Sequence, residues 1–256
     1  GIDGDVRDIC IENGRIVASL PADAPVLSAD GMVIMAGGID IHAHVAASSV
    51  SMARRLLPEE HGLDPAPAPG LDDGTIPRSG TGGTVPSTFT TGYRYAGLGY
   101  TPVFDPAVAP VAARQTHAEF DDTPIIDGGF FALLGNDEYL HRQIAANEIG
   151  RAKDYAAWIL KSTGAYAIKC VNPGGVELWK RNVREVKTLD DPVGTANVTP
   201  RRILEVLASA AVDLGLPHPV HIHCNNLGVA GNVAMTLESM RALEGRRAHF
   251  THLQFH

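Results

Sequence analysis

Gly37-Gly38-Ile39-Asp40-Ile41-His42-Ala43-His44-Val45 is the stretch on which the fold turns. The apolar lead-in at residues 32–35 predicts a strand running into it. Residues two apart on a strand share a side, so His42 and His44 are expected to look the same way. Two imidazoles held on one rigid element can give a divalent metal two nitrogen ligands. Taken alone, the pair reads equally well as two histidines at a solvent-facing strand edge, and the later strands must decide.

Upstream, residues 6–11 and 15–18 flank Asn13-Gly14, a pair suited to the positive φ angles of a type I′ hairpin turn. Residues 1–36 are therefore expected to form a small β module ahead of a main domain at 37–256. Residues 64–87 are crowded with proline and glycine and show little periodicity. Such a loop leaves from the same end as the histidines, either as a lid over them or as an insert. From Tyr100 onward, strands and helices alternate. Strands are expected at 101–104, 125–134, 166–171, 220–223 and 248–253, and helices at 111–120, 137–149, 152–162, 200–214 and 233–243. Thr199-Pro200 is a strong helix start, a capping hydroxyl followed by a proline in the first turn. Six strands separated mostly by helices give an α/β fold, a parallel sheet or a (β/α)8 TIM-type barrel with about six of its eight strands. The chain starts at Gly1 and stops at His256 straight after a strand-like segment, so a fragment is expected.

Composition narrows the class. The chain has 256 residues, 45% of them hydrophobic and 20% charged, as in a globular enzyme with ample core. A net charge of -8 disfavours nucleic acid and anionic membranes as partners. No apolar run approaches a membrane span and no signal peptide opens the chain, which makes the cytoplasm the default location. Three cysteines without paired spacing, Cys10, Cys170 and Cys224, read as reduced core thiols.

Further ligands come from later strands. Lys169 sits inside the apolar run Ala167-Ile168-Lys169-Cys170-Val171, where a charged amine is costly. Either its tip reaches solvent, or it is neutralised chemically, for example by carbamylation into a metal-bridging carboxylate. His221 and His223 repeat the alternating pattern on the fifth strand, with His223 nearer the strand's end and the better ligand. His249 and His252 are three apart on the sixth strand, so only one is expected inside; His252 is chosen, and His249 is placed outside against a helix. Asn225 and Asn226 can bind substrate or cap the following loop. His61, His117, His141 and His218 are individually uninformative.

Two histidines on strand one, a lysine on strand four and histidines on strands five and six resemble the amidohydrolase superfamily. The wording of Thr91-Gly92-Tyr93-Arg94-Tyr95-Ala96, of Ala167-Ile168-Lys169-Cys170-Val171-Asn172-Pro173-Gly174-Gly175, of Pro217-His218-Pro219-Val220-His221-Ile222-His223-Cys224-Asn225-Asn226-Leu227-Gly228 and of Thr251-His252-Leu253-Gln254-Phe255-His256 is similar to the A-type components of formylmethanofuran dehydrogenases and of bacterial formyltransferase/hydrolase complexes. The resemblance implies two divalent metal ions, zinc by expectation, held by His42, His44, His223 and His252 and bridged by carbamylated Lys169. It implies an aspartate on strand eight as general acid, which lies beyond the chain's last residue. It further implies interconversion of an N-formyl carrier amine, methanofuran or an analogue, with formate, alongside other subunits of such a complex. A cyclic amidase of the dihydroorotase or hydantoinase kind would share the ligands but not the wording of the last two motifs. A non-catalytic assembly subunit would be expected to lose ligands, and every covered ligand position is filled.

Overall fold

A computed structural model describes residues 7–54, 56, 88–180, 182 and 185–255. The chain divides into two compact units, Gly1–Gly37 and Gly38–His256. In the first, β1 (Cys10–Glu12) and β2 (Arg15–Val17) pair antiparallel with Cys10 opposite Val17. Asn13 and Gly14 between them have φ of 50° and 74°, the left-handed pair that a type I′ turn needs. The expected strand at residues 32–35 does not form; Met32, Val33, Ile34 and Met35 are all exposed. An apolar run alone does not make a strand, and here no partner strand among the described residues pairs with it. The Pro/Gly-rich stretch at 64–87 lies outside the described residues.

In the second unit the order is β3 (Gly38–Asp40), α1 (Ser48–Arg54), α2 (Phe89–Gly97), β4 (Tyr100–Val108), α3 (Ala113–Asp121), β5 (Asp127–Leu133), α4 (Glu138–Ala145), α5 (Ile149–Thr163), β6 (Ala167–Val171), α6 (Gly175–Lys180), α7 (Pro200–Asp213), β7 (Val220–His223), α8 (Val233–Ala242) and β8 (Ala248–Thr251). The strands β3 to β8 form one sheet in sequence order, each parallel to the next. Winding in one direction without a switch point is the pattern of a barrel rather than of an open doubly wound sheet. Neighbouring strands lie about 4.8 Å apart, so in a flat sheet β3 and β8 would be separated by about 24 Å. Yet the rings of His42, just past β3, and His252, just past β8, have centroids 4.5 Å apart. The sheet must curl strongly, and the six strands make a half-barrel.

Alternation along the strands sorts the side chains. Ile168, Cys170, Val220 and Ile222 belong to a buried core that includes Ala152, Ala156, Ile159, Ile203 and Leu207 from α5 and α7. Lys169, His221 and His223 occupy the intervening positions, on the concave side. The helices are fixed by local chemistry: Thr199 accepts a bond from the Arg202 amide, Asp137 one from the Leu140 amide, and Gly164 ends α5 with φ of 67°.

Candidate metal centre

Register sets the layers of the interior. Lys169 pairs with His221 and His221 with His249, so these three stand at one level across β6, β7 and β8. Val171, His223 and Thr251 make the next level towards the C-terminal ends. His42 and His44 follow β3 in irregular backbone rather than standing within it. They converge all the same, with ring centroids 5.3 Å apart and planes nearly perpendicular. His252 lies 4.5 Å from His42 and 5.0 Å from His223, again edge to face. The four histidines named from sequence therefore form a chain of neighbouring rings on the C-terminal rim of the half-barrel.

The sequence-based placement of His249 is corrected; His252 faces the interior as expected, but by another route. Period two puts one inside and one outside, but β8 ends at Thr251 and His252 has a φ of 61°. That left-handed turn breaks the alternation and swings His252 over the interior. His249 is inside as well, its ring stacked on His221 at 4.5 Å with 5° between planes.

Two carboxylates that spacing alone does not single out position the first pair of histidines. Asp40 accepts the His42 amide at 3.0 Å through one oxygen and the Tyr95 hydroxyl at 3.1 Å through the other. Burial, with Asp40 beside it, pushes Tyr95 up to about 12, so the phenol keeps its proton. Asp105, with no exposed surface, accepts the successive amides of Val45, Ala46 and Ala47 at 3.1, 3.0 and 2.8 Å. Its other oxygen accepts the Ala107 amide and lies 3.8 Å from Nδ1 of His44, an ion-pair rather than a hydrogen-bond distance. Burial alone would raise its pKa, but His44 and the amides outweigh this and hold the carboxyl below its ordinary value. The signal is present in Val103-Phe104-Asp105-Pro106, a charge inside an apolar strand, the same kind of signal that marks Lys169.

Lys169 is 1% exposed, so the solvent-reaching alternative does not describe it. Burial lowers its pKa to about 7, against smaller opposing effects from Cys170, Asp105 and Cys224. Its Nζ and the Nε2 of His42 are buried without a hydrogen-bond partner. Orphaned polar atoms at such depth are rare and call for a partner. A divalent cation suits the nitrogen lone pair of His42, and a carbamate on Lys169 would supply the carboxylate oxygens and negative charge that imidazole ligands lack. Burial, followed by Lys169 and the neighbouring histidines, lowers His42 to about 3, which keeps it in the neutral form a metal requires.

The two asparagines differ. Asn226 exchanges two bonds with the Val186 backbone, at 2.9 and 2.7 Å, and so clamps one loop to another. Asn225 has no exposed surface; its Nδ2 reaches the Pro173 carbonyl at 3.4 Å and its Oδ1 has no partner. No helix among the described residues is long and apolar enough to cross a membrane.

Comparison with known proteins identifies relatives of the chain. Over its whole length the chain is 42% identical to protein FwdA of Methanocaldococcus jannaschii, of which it covers 46%. Over 98% of its length it is 38% identical to the A-type component of the formyltransferase/hydrolase complex Fhc of Methylorubrum extorquens, covering 44% of that protein. The crystal structure of the complex FhcABCD from M. extorquens with methylofuran contains a chain that matches 98% of this one at a TM-score of 0.81 and 36% identity; 44% of that chain is covered. The chain thus spans less than half the length of the relatives it matches. The family model described as "Amidohydrolase family" matches residues 26–255, and with the singly wound half-barrel and its rim of histidines the chain belongs to that family.

Proposed function

We propose that this chain carries the metal-binding half of an amidohydrolase that interconverts an N-formyl carrier amine with formate, within a complex of the formyltransferase/hydrolase or formylmethanofuran dehydrogenase type. The observation that carries the reading is the run of neighbouring rings His44, His42, His252 and His223 beside the buried Lys169, with the Nζ of Lys169 and the Nε2 of His42 both left without partners. The relatives supply the chemistry: one is named for formyl transfer and hydrolysis, and its complex was crystallised with methylofuran. The carrier is accordingly a methanofuran or methylofuran type of amine, and the direction of reaction follows from the assembly and from mass action.

His42, His44, His223 and His252 would hold two divalent ions, zinc by the softness of the donor set, and carbamylated Lys169 would bridge them. Such ions supply an acidified water and a Lewis acid for the formamide carbonyl. The chain's own residues do the positioning. Asp105 locks the turn after His44 and Asp40 locks the His42 backbone, so both rings present fixed nitrogens. The reaction adds water across the formyl C–N bond and yields formate and the free amine.

The test is metal analysis of the full-length protein purified with its partner proteins, beside a Lys169→Ala variant. About two zinc per chain, lost together with formyl-amine hydrolysis in the variant, is the expected outcome. Wild-type protein that assembles with its partners yet holds no metal would make the chain a scaffold.

A further inference from the structure

A second group of histidines lies one layer below the proposed metal ligands. Nδ1 of His42 is 2.9 Å from Nε2 of His221, and Nδ1 of His221 is 3.1 Å from Nε2 of His218. His221 has no exposed surface, and its ring is held between His249, stacked at 4.5 Å, and Phe131 at 4.8 Å. Phe131 also stacks on His218, with 11° between planes. Three imidazoles are therefore joined in a line whose last member, His42, turns a buried and unpartnered Nε2 towards the rim.

A neutral imidazole has one donor nitrogen and one acceptor. Each of the two contacts joins two ring nitrogens at hydrogen-bond distance, so in each of them one nitrogen must be bare to accept. Two N–H···N bonds in series then allow only two polarities. In the first, Nδ1–H of His42 donates to Nε2 of His221, and Nδ1–H of His221 donates to Nε2 of His218. His42 is left with a bare lone pair on Nε2. In the reverse polarity His42 carries its proton on Nε2, a buried donor with no acceptor, which is penalised and cannot bind a metal.

We infer that His221, backed by His218, is a positioning residue that fixes His42 as the Nδ1–H tautomer and so aims a bare Nε2 at the metal centre. This rests on the metal-binding reading above. A third metal on His218, His221 and His249, whose nitrogens lie within 4.8 Å of one another, is the competing use of the cluster. The parallel stack argues against it, because the lone pairs of His221 and His249 run side by side instead of converging. Both nitrogens of His221 are also already engaged.

The decisive readout needs no metal. In metal-free full-length protein labelled with 15N-histidine, with His42 assigned by the signals missing from a His42→Asn variant, Nδ1 should be protonated and Nε2 bare. A proton on Nε2 would overturn the inference. Zinc affinity, measured by chelator competition, gives the second readout. His221→Gln keeps one acceptor and one donor and should stay within about threefold of wild type, whereas His221→Phe should lose about 10- to 100-fold. No loss in the Phe variant, or equal losses in both, overturns positioning, as does a third equivalent of zinc that vanishes in His249→Ala. A wild type that binds no zinc would instead sink the metal reading, and the tautomer spectrum still decides the inference.

Discussion

Asp105 is a carboxylate with no exposed surface that nevertheless stays ionised, because three successive amides, a fourth from Ala107 and His44 surround it. Its folded pKa is depressed, so its contribution to stability is complete above the ordinary carboxylate value and is lost as pH falls through the lower folded one. Asp105→Asn keeps the shape but removes the charge, and at best presents one neutral oxygen to donors that now have a two-oxygen anion. The expected loss is about 3 kcal/mol in urea unfolding, the range for breaking a buried charged network. Zinc affinity should fall with it, because the backbone after His44 loses its anchor. A variant as stable as wild type would show that the three amides need no anion.

Helix α2 sets helix propensity against packing. Gly92 stands in the middle of it, where alanine would normally stabilise by about 1 kcal/mol. A Cβ at this position would lie 2.1 Å from the Pro124 carbonyl oxygen, and backbone cannot give way as a side-chain tip can. Gly92→Ala should therefore destabilise, by about 1–3 kcal/mol, and a rise in melting temperature would show that the helix shifts freely. The same helix shows what a sequence conceals. Its glycine and paired threonines give no helical signal, and its reason for existing is contact with a segment about thirty residues on. By contrast α7 is legible to within a residue, since Thr199 and Pro200 act on their own first turn. The inward positions of His221 and His223 are legible because β7 is regular through both. His252 reaches the interior by a route that strand alternation does not predict, and His249 defies the expectation of an outward position, because a single left-handed residue ends the alternation. The lead-in at 32–35 fails in the opposite way: its local pattern suits a strand, but strand formation depends on a distant partner. Asp40 and Asp105 escape a spacing rule because their partners are mainly backbone amides and a phenol.

Groups that burial holds in their neutral forms line the interior of the half-barrel, and this predicts the pH profile of the metal-free protein as a whole. His42, His218, His221 and His249 all titrate below the ordinary histidine value of 6.5. As pH falls below 6.5 the unfolded chain takes up protons that the folded chain refuses, so stability must drop, at about 1.4 kcal/mol per pH unit for each proton of difference. Lys169 extends the trend upward: its folded value of about 7 lies below the ordinary 10.5, so stability keeps rising above neutrality. The thiols of Cys170 and Cys224 oppose it, because burial raises both and the folded state holds their protons after the unfolded state has released them, from about 9 upward. Tyr95 and Tyr155, both pushed to about 12, act in the same direction above 10. The stability of metal-stripped full-length protein, measured by urea unfolding from about pH 4 to 10, should rise steeply to neutrality, rise more slowly beyond it, and turn over near about pH 9. His249→Gln should flatten the acid limb, since it removes one buried imidazole and one neighbour of His221. Reloading with zinc and bicarbonate should raise stability by mass action and abolish the lysine-dependent rise above neutrality, because a carbamylated Lys169 no longer titrates as an amine. A profile flat between about pH 4 and 7 would mean that water reaches these rings freely, and the layered interior drawn from their burial would have to be abandoned.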